Sequence, residues 1–197
     1  MIQIFERGYF RKYRITDSQL NEALIKTKSI SEGRTRSTKT TIFLSHKHND
    51  LQELKDLIGF FSHVYDVDIY IDSMDNNMPR ETSGETAKRI KEIIEKSDRF
   101  ILLATNDAIE SKWCNWELGY GDAQKYKDRI ALFPVKERMT NNNQYKGNEY
   151  MQIYPFIAYF DGLERSSNGH IFKRGYYVCQ KDSEGNTSVL KRLEDWL

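Results

Sequence analysis

A chain of 197 residues, 39% hydrophobic and 30% charged, has the composition of a soluble globular protein with one sizeable core and is too short for two full domains. Its 30 Lys/Arg against 29 Asp/Glu leave a formal net charge of +1, which gives no electrostatic push toward nucleic acid. No apolar run approaches the roughly 18 residues that suggest a membrane span.

The opening stretch, MIQIFERGYFRKYR, carries charge within its first turns and has no apolar signal region, so a cytoplasmic location is expected. Residues 1–39 are rich in Lys and Arg and read as a basic arm. Within them Thr16–Gln19 has the form of a capping box, and Leu20, Leu24 and Ile25 supply one apolar stripe for a short helix packed on the main domain. Residues 33–40, GRTRSTKT, fail as a phosphate loop because Thr38 stands at the second glycine position and the segment precedes a strand, so they read as a linker.

From residue 40 the pattern becomes regular. Thr40–Ser45 reads as a strand, and Leu51, Leu54, Ile58 and Phe61 follow at helical spacing. Val67–Ile71 is a second strand, Asp72–Gly84 a polar loop, and Ala87, Ile90 and Ile94 the inner face of a helix. Arg99–Ala104 is a buried-type strand, a helix begins near Ser111, and Ile130–Val135 is a further strand. Strands alternating with helices require crossover connections, so a doubly wound α/β domain with a parallel sheet is predicted. Residues 136–150 read as a polar loop and Tyr154–Phe160 as a fifth strand at the sheet edge. A small hairpin is expected over 169–180, around Lys173, Arg174 and Gly175, and a final helix over 187–197 with Leu190, Leu193 and Leu197 on one side. The expected organisation is thus the arm, 1–39, and a domain spanning 40–197.

In such a sheet, ligands bind beyond the carboxyl ends of the strands where the strand order reverses, which for a flavodoxin-like order of 2-1-3-4-5 lies between the first and third strands. The first strand's exit carries Ser45, His46 and Lys47. The third leads into SKWCNWELGYGD, where Trp113 and Glu117 are four residues apart on a helix. The second strand's exit loop, with Asp72, Met74 and Arg80, is expected to lie over this crevice as a flap. An ordinary amphipathic helix also fits: Trp113, Cys114 and Leu118 as core, Glu117 as a solvated charge. No G-x-G-x-x-G follows the first strand, so no bound dinucleotide cofactor of the Rossmann kind is expected, and a nucleotide remains open as substrate. Ser45, Lys47 and Arg80 offer groups for phosphate, Trp113 a flat face for a ring, and Glu117 one carboxylate. Ordinary glycosidases need two carboxylates to protonate an alkoxide leaving group. Nicotinamide leaves NAD+ as a neutral molecule, so one carboxylate suffices to stabilise the developing sugar cation. Cys114 and Cys179 have no metal-ligand spacing and are expected to be reduced structural thiols.

Phe43–Asp50 (FLSHKHND), Val67–Asp72 (VDIYID) and Ser97–Leu118, which ends in S-x-W-C-x-x-E-L, together resemble the TIR domain, notably its bacterial members, over roughly residues 40–135. The resemblance implies a flavodoxin-like fold and cleavage of NAD+ at the nicotinamide–ribosyl bond, in some members with cyclisation to an ADP-ribose signal. It implies Glu117 as the catalytic glutamate, Trp113 as its aromatic companion, Ser45 and His46 as substrate-lining residues, and Asp72–Gly84 as the loop through which copies assemble. A TIR domain nearly alone in its chain resembles the signal-making component of Thoeris-type anti-phage systems. There a phage-derived trigger and a separate effector protein, reached through a diffusible nucleotide, are the implied partners. Two other readings stay open: a non-catalytic TIR scaffold acting by TIR–TIR contact, and a nucleoside deoxyribosyltransferase-like enzyme.

Overall fold

The computed structural model describes residues 4–31, 38–71, 84–125, 128–166 and 168–197. The predicted central strands are β2 (Thr41–Ser45), β3 (Asp68–Ile71), β4 (Arg99–Ala104), β5 (Ile130–Lys136) and β6 (Phe156–Phe160), preceded by a two-residue strand β1 (Phe5–Glu6). They lie in the order β3-β2-β4-β5-β6, all parallel, which is the flavodoxin-like order. Helices α2 (Leu51–Tyr65), α3 (Gly84–Lys96) and α5 (Lys112–Lys125) supply the crossovers.

Successive strand residues point to opposite faces, and the two cores follow that alternation. Ile42 and Leu44 of β2, with Ile101 and Leu103 of β4, pack with Leu54, Leu57, Phe60 and Phe61 of α2. Phe43, Phe100 and Leu102 point the other way, into a core with Ile90 and Ile94 of α3 and Cys114 and Leu118 of α5. The same parity sends Ser45, two residues after Phe43, toward α5. That helix lies very close to β4: a Cβ built on Gly121 would stand 2.7 Å from Cδ2 of Phe100, so glycine permits the approach that sets the depth of α5. Among the described residues, no helix is long and apolar enough to cross a membrane.

The arm is part of the fold. β1 adds parallel to the end of β5, pairing Phe5 with Val135, and Phe5 and Phe10 are buried in the α2-side core. Helix α1 (Asp17–Ser31) starts at the predicted capping box, with Thr16 N–H donating to Gln19 Oε1 at 2.8 Å and Gln19 N–H to Thr16 Oγ1 at 3.3 Å. Leu20 is buried, but Ile25 is exposed and does not belong to the inward stripe.

The C-terminal expectations need correction. The hairpin is not over 169–180 but is formed by β7 (Gly175–Lys181) and β8 (Thr187–Arg192), and the helix expected over 187–197 is reduced to one turn, α7 (Leu193–Trp196). Its turn is tied by Asp182, whose carboxylate accepts the N–H groups of Glu184 (3.0 Å) and Asn186 (2.8 Å), with Gly185 in the left-handed region at φ 82°. Nor is β6 an edge strand. Its other side pairs antiparallel with β7, which explains why Phe156, Ile157 and Ala158 are all buried. The polar loop after β5 is also anchored: it makes 3-10 turns at Asn142–Gln144 and Lys146–Asn148 and a short helix α6 (Tyr150–Ile153). Between these turns Tyr145 is buried and donates its hydroxyl to the Ala104 carbonyl at 2.6 Å.

Candidate active site

Two of the expected site residues meet. Ser45, the last residue of β2, donates its hydroxyl to Glu117 Oε2, and the two are 0% and 1% exposed. The pairing spans 72 residues of sequence and rests on the strand parity and the depth of α5 described above. Glu117 lies on the buried side of α5 with Cys114, Leu118 and Gly121, so it is not the solvated charge of an ordinary amphipathic helix. For Cys114 and Leu118 the core reading holds.

Trp113 is half-buried and packs against the α5-side core. Its ring stacks on Trp116 with centroids 4.8 Å apart, and Trp116 stacks in turn on Tyr120. Lys91 of α3 sits 4.9 Å from the Tyr120 ring centre. One face of the Trp113 indole is therefore already taken by a neighbouring ring.

His46 and Lys47 are half-buried beyond Ser45. The His46 ring places Nδ1 3.3 Å from the Leu44 carbonyl, to which the Nδ1–H tautomer donates. Burial pushes its pKa down to about 4, against the smaller opposing effect of that hydrogen bond. His46 is thus a neutral imidazole at neutral pH. Asp72 and Arg80, with the rest of the expected flap up to residue 83, lie outside the described residues.

Burial also pushes the Cys114 thiol up to about 11. A buried thiol so hard to ionise is no nucleophile, in line with the structural role expected for it.

A second polar group at the same sheet edge was not anticipated. Asp50, fully buried at the start of α2, accepts from Thr105 Oγ1 at 2.6 Å and from Arg7 Nη2 at 2.8 Å. Thr105 follows β4 and caps α4 (Asn106–Ile109), accepting the Ala108 N–H at 3.0 Å. Arg7 also reaches Glu53 at 2.8 Å and Glu137 at 2.5 Å. Burial opposes the guanidinium's charge, but its hydrogen bonds to Glu137 and Asp50 and the field of Asp50 and Glu53 outweigh that and raise its pKa. One arginine from the arm thus ties together the exits of β2 and β5, and through Asp50 that of β4. Asp50 stands within FLSHKHND, so proximity to the site motif is the one signal that marked it. Arg7 carried none.

Near the exits of β2 and β4 the structure thus brings together one buried carboxylate and the hydroxyl that donates to it, with His46 next in sequence to that serine and Trp113 one helical turn before the carboxylate.

Comparison with known proteins bears on the fold. A family model described as TIR domain matches residues 42–166. Over 119 residues the chain is 30% identical to a protein of Bacillus cereus (strain MSX-D12) named probable 3' cyclic ADP-D-ribose synthase ThsB'. The match covers 59% of this chain and 60% of that relative, so the two correspond over somewhat more than half their lengths. With the family model matching well over half of the chain, and a mostly parallel α/β sheet consistent with it, this protein belongs to the TIR domain family.

Proposed function

We propose that this protein cleaves NAD+ at the nicotinamide–ribosyl bond, with Glu117 as the catalytic carboxylate. The observation that supports the reading is the Ser45–Glu117 hydrogen bond, between the last residue of β2 and the buried carboxylate of α5 in a TIR fold. As the bond between ribose C1 and the pyridine nitrogen breaks, its electron pair goes to the nitrogen and nicotinamide leaves neutral. The positive charge left on the ribose is stabilised by the Glu117 carboxylate. Ser45 orients that carboxylate, neutral His46 and Lys47 serve the hydroxyls and phosphates, and Trp113 flanks the pyridine. Asp72 and Arg80 remain proposed as substrate contacts from the flap.

Attack on the ribosyl cation by water, which then loses a proton, gives ADP-ribose. Attack by a hydroxyl of the same molecule, again with loss of its proton, gives a cyclic ADP-ribose. Likeness to a relative named as a cyclic ADP-D-ribose synthase supports the cyclic product. The resemblance of the motif residues to the signal-making component of Thoeris-type systems supports a role in anti-phage defence, in which a phage-derived trigger starts synthesis and the product diffuses to a separate effector protein.

Glu117 is closed to solvent as described, so turnover requires a wall of the crevice to move. This fits activity that waits for self-association through TIR–TIR contacts. It equally favours the second reading, a scaffold whose crevice never opens.

The deciding experiment incubates the protein with NAD+, with and without a crowding agent that drives assembly, and follows free nicotinamide by chromatography. The wild type should release it, and Glu117→Gln should be slower by at least ~100-fold, the scale of losing a main electrostatic stabiliser. Equal rates in the two proteins remove Glu117 from the chemistry. No release under either condition leaves the scaffold.

A further inference from the structure

The connection from β4 to the start of α5, residues 104–115, leads into the helix that carries Glu117, and the polar loop after β5 runs alongside it, bonded at several points. Tyr145 donates to the Ala104 carbonyl. Lys146 N–H donates to Asn106 Oδ1 at 2.9 Å, and Asn106 Nδ2 donates back to the Gln144 carbonyl at 3.4 Å. Lys146 Nζ pairs with Glu110, and Tyr150 donates its hydroxyl to Asn115 Oδ1 at 2.9 Å. Asn115 in turn donates from Nδ2 to the Ile109 carbonyl at 2.9 Å, so one side-chain amide joins the end of α4, the first turn of α5 and the start of α6.

These contacts are not equivalent. The Lys146–Glu110 pair is 53% and 59% exposed and adds little. Tyr145 reaches only the end of β4. Of this set, the Tyr150–Asn115 bond is the one that reaches α5 itself. Both residues are half-buried, and the Tyr150 ring packs against the α5-side core, which fixes where its hydroxyl points.

Glu117 stands between two fixed points on its helix. Gly121, about one turn later, sets the depth of α5 at Phe100, and a helix held at one point alone is free to pivot. Asn115 precedes Glu117 by two residues and so points about 200° around the helix from it. Its bond to Tyr150 therefore holds the side of α5 that faces away from Ser45. The flank toward α3 is held separately, by the Tyr120 hydroxyl donating to Glu95.

We propose that Tyr150 and Asn115 are positioning residues for Glu117: their hydrogen bond fixes the start of α5 at the angle that sets the carboxylate against Ser45. The effect on rate rests on Glu117 being the catalytic carboxylate, as proposed above; the effect on its geometry does not.

Tyr150→Phe removes one hydroxyl and leaves the ring in the core. In the NAD+ assay kcat should fall about fivefold with KM within about twofold, the scale of one net hydrogen bond, and in an Asn115→Ala background the same substitution should have no further effect. A second readout needs no turnover. In protein labelled with carbon-13 at glutamate Cδ, the Glu117 carboxyl signal, assigned by its loss in Glu117→Gln, should shift in Tyr150→Phe. It should stay in place in Tyr154→Phe, whose ring packs on the same core but whose hydroxyl makes no hydrogen bond among the described residues. A loss of stability alone leaves the signal of the folded protein where it was. An unmoved Glu117 signal in Tyr150→Phe overturns the proposal, whatever happens to the rate. So does a shifted signal with kcat unchanged in an active protein, because the chemistry then does not need that angle. If the wild type releases no nicotinamide, the NAD+ reading fails and the Glu117 signal alone decides the positioning.

Discussion

Replacing Arg7 by alanine asks whether the N-terminal arm is a structural part of the carboxyl edge of the sheet. The guanidinium is 20% exposed and bonds Asp50, which is fully buried, as well as Glu53 and Glu137, which are 13% and 52% exposed. Truncating one partner of a buried pair costs about 3–5 kcal/mol, because the other charge is left uncompensated. Here the partial exposure of Arg7 and the surviving Thr105 bond to Asp50 reduce that to about 2–4 kcal/mol, and the half-exposed Glu137 adds little. In a chain of this size, that corresponds to a fall in Tm of about 4–16 °C. Urea denaturation of wild type, Arg7→Ala, Asp50→Asn and the double variant gives the coupling. Arg7→Ala should cost clearly less in the Asp50→Asn background, about 1–2 kcal/mol, because the fully buried charge is gone and only the partly exposed Glu53 and Glu137 lose their partner. A loss below about 0.5 kcal/mol in the wild-type background, or equal losses in both backgrounds, would refute the assignment of Arg7 as the counter-charge of Asp50.

Three further expectations follow from the site geometry. Ser45→Ala removes the hydroxyl that orients Glu117, and kcat for nicotinamide release should fall about tenfold with a smaller change in KM; a change in KM alone would assign Ser45 to binding. Gly121→Ala places a methyl group against the Phe100 ring and should destabilise by about 1–3 kcal/mol, a result that chemical denaturation at neutral pH would contradict if the midpoint did not move. His46 has its folded pKa depressed to about 4 from an ordinary 6.5, so the unfolded chain takes up the proton first. Its contribution is intact above about pH 6.5 and is lost as pH falls toward 4, up to about 3 kcal/mol in all. Stability curves of wild type and His46→Gln should therefore converge on acidification over that window, and parallel curves would remove His46 as their cause.

The alternation over residues 40–135 was legible because apolar periodicity is local: Leu54, Ile58 and Phe61 mark the inward side of α2 by their spacing alone, and the Thr16–Gln19 capping box announces α1 within four residues. Trp113 and Glu117 were legible as neighbours for the same reason. What the spacing did not carry is their unequal fate, with Glu117 shut inside against Ser45 and Trp113 stacked on Trp116.

At the C-terminus the same local rule misled. Leu190, Leu193 and Leu197 recur at helical intervals, yet Leu190 lies exposed on β8. The open side of β6 takes β7, and β7 takes β8, with Cys179 opposite Val189. Strand formation is decided by the partner that supplies hydrogen bonds and packing, more than by the strand's own residues. Arg7 on Asp50 and Ser45 on Glu117 are contacts of the same kind, 43 and 72 residues apart. Short-range pattern therefore determined which segments are helix or strand through the domain's centre. Only the folded sheet decided which side chains meet at its edge, because long-range pairing depends on strand order, parity and helix depth, and none of these is written in any single stretch of chain.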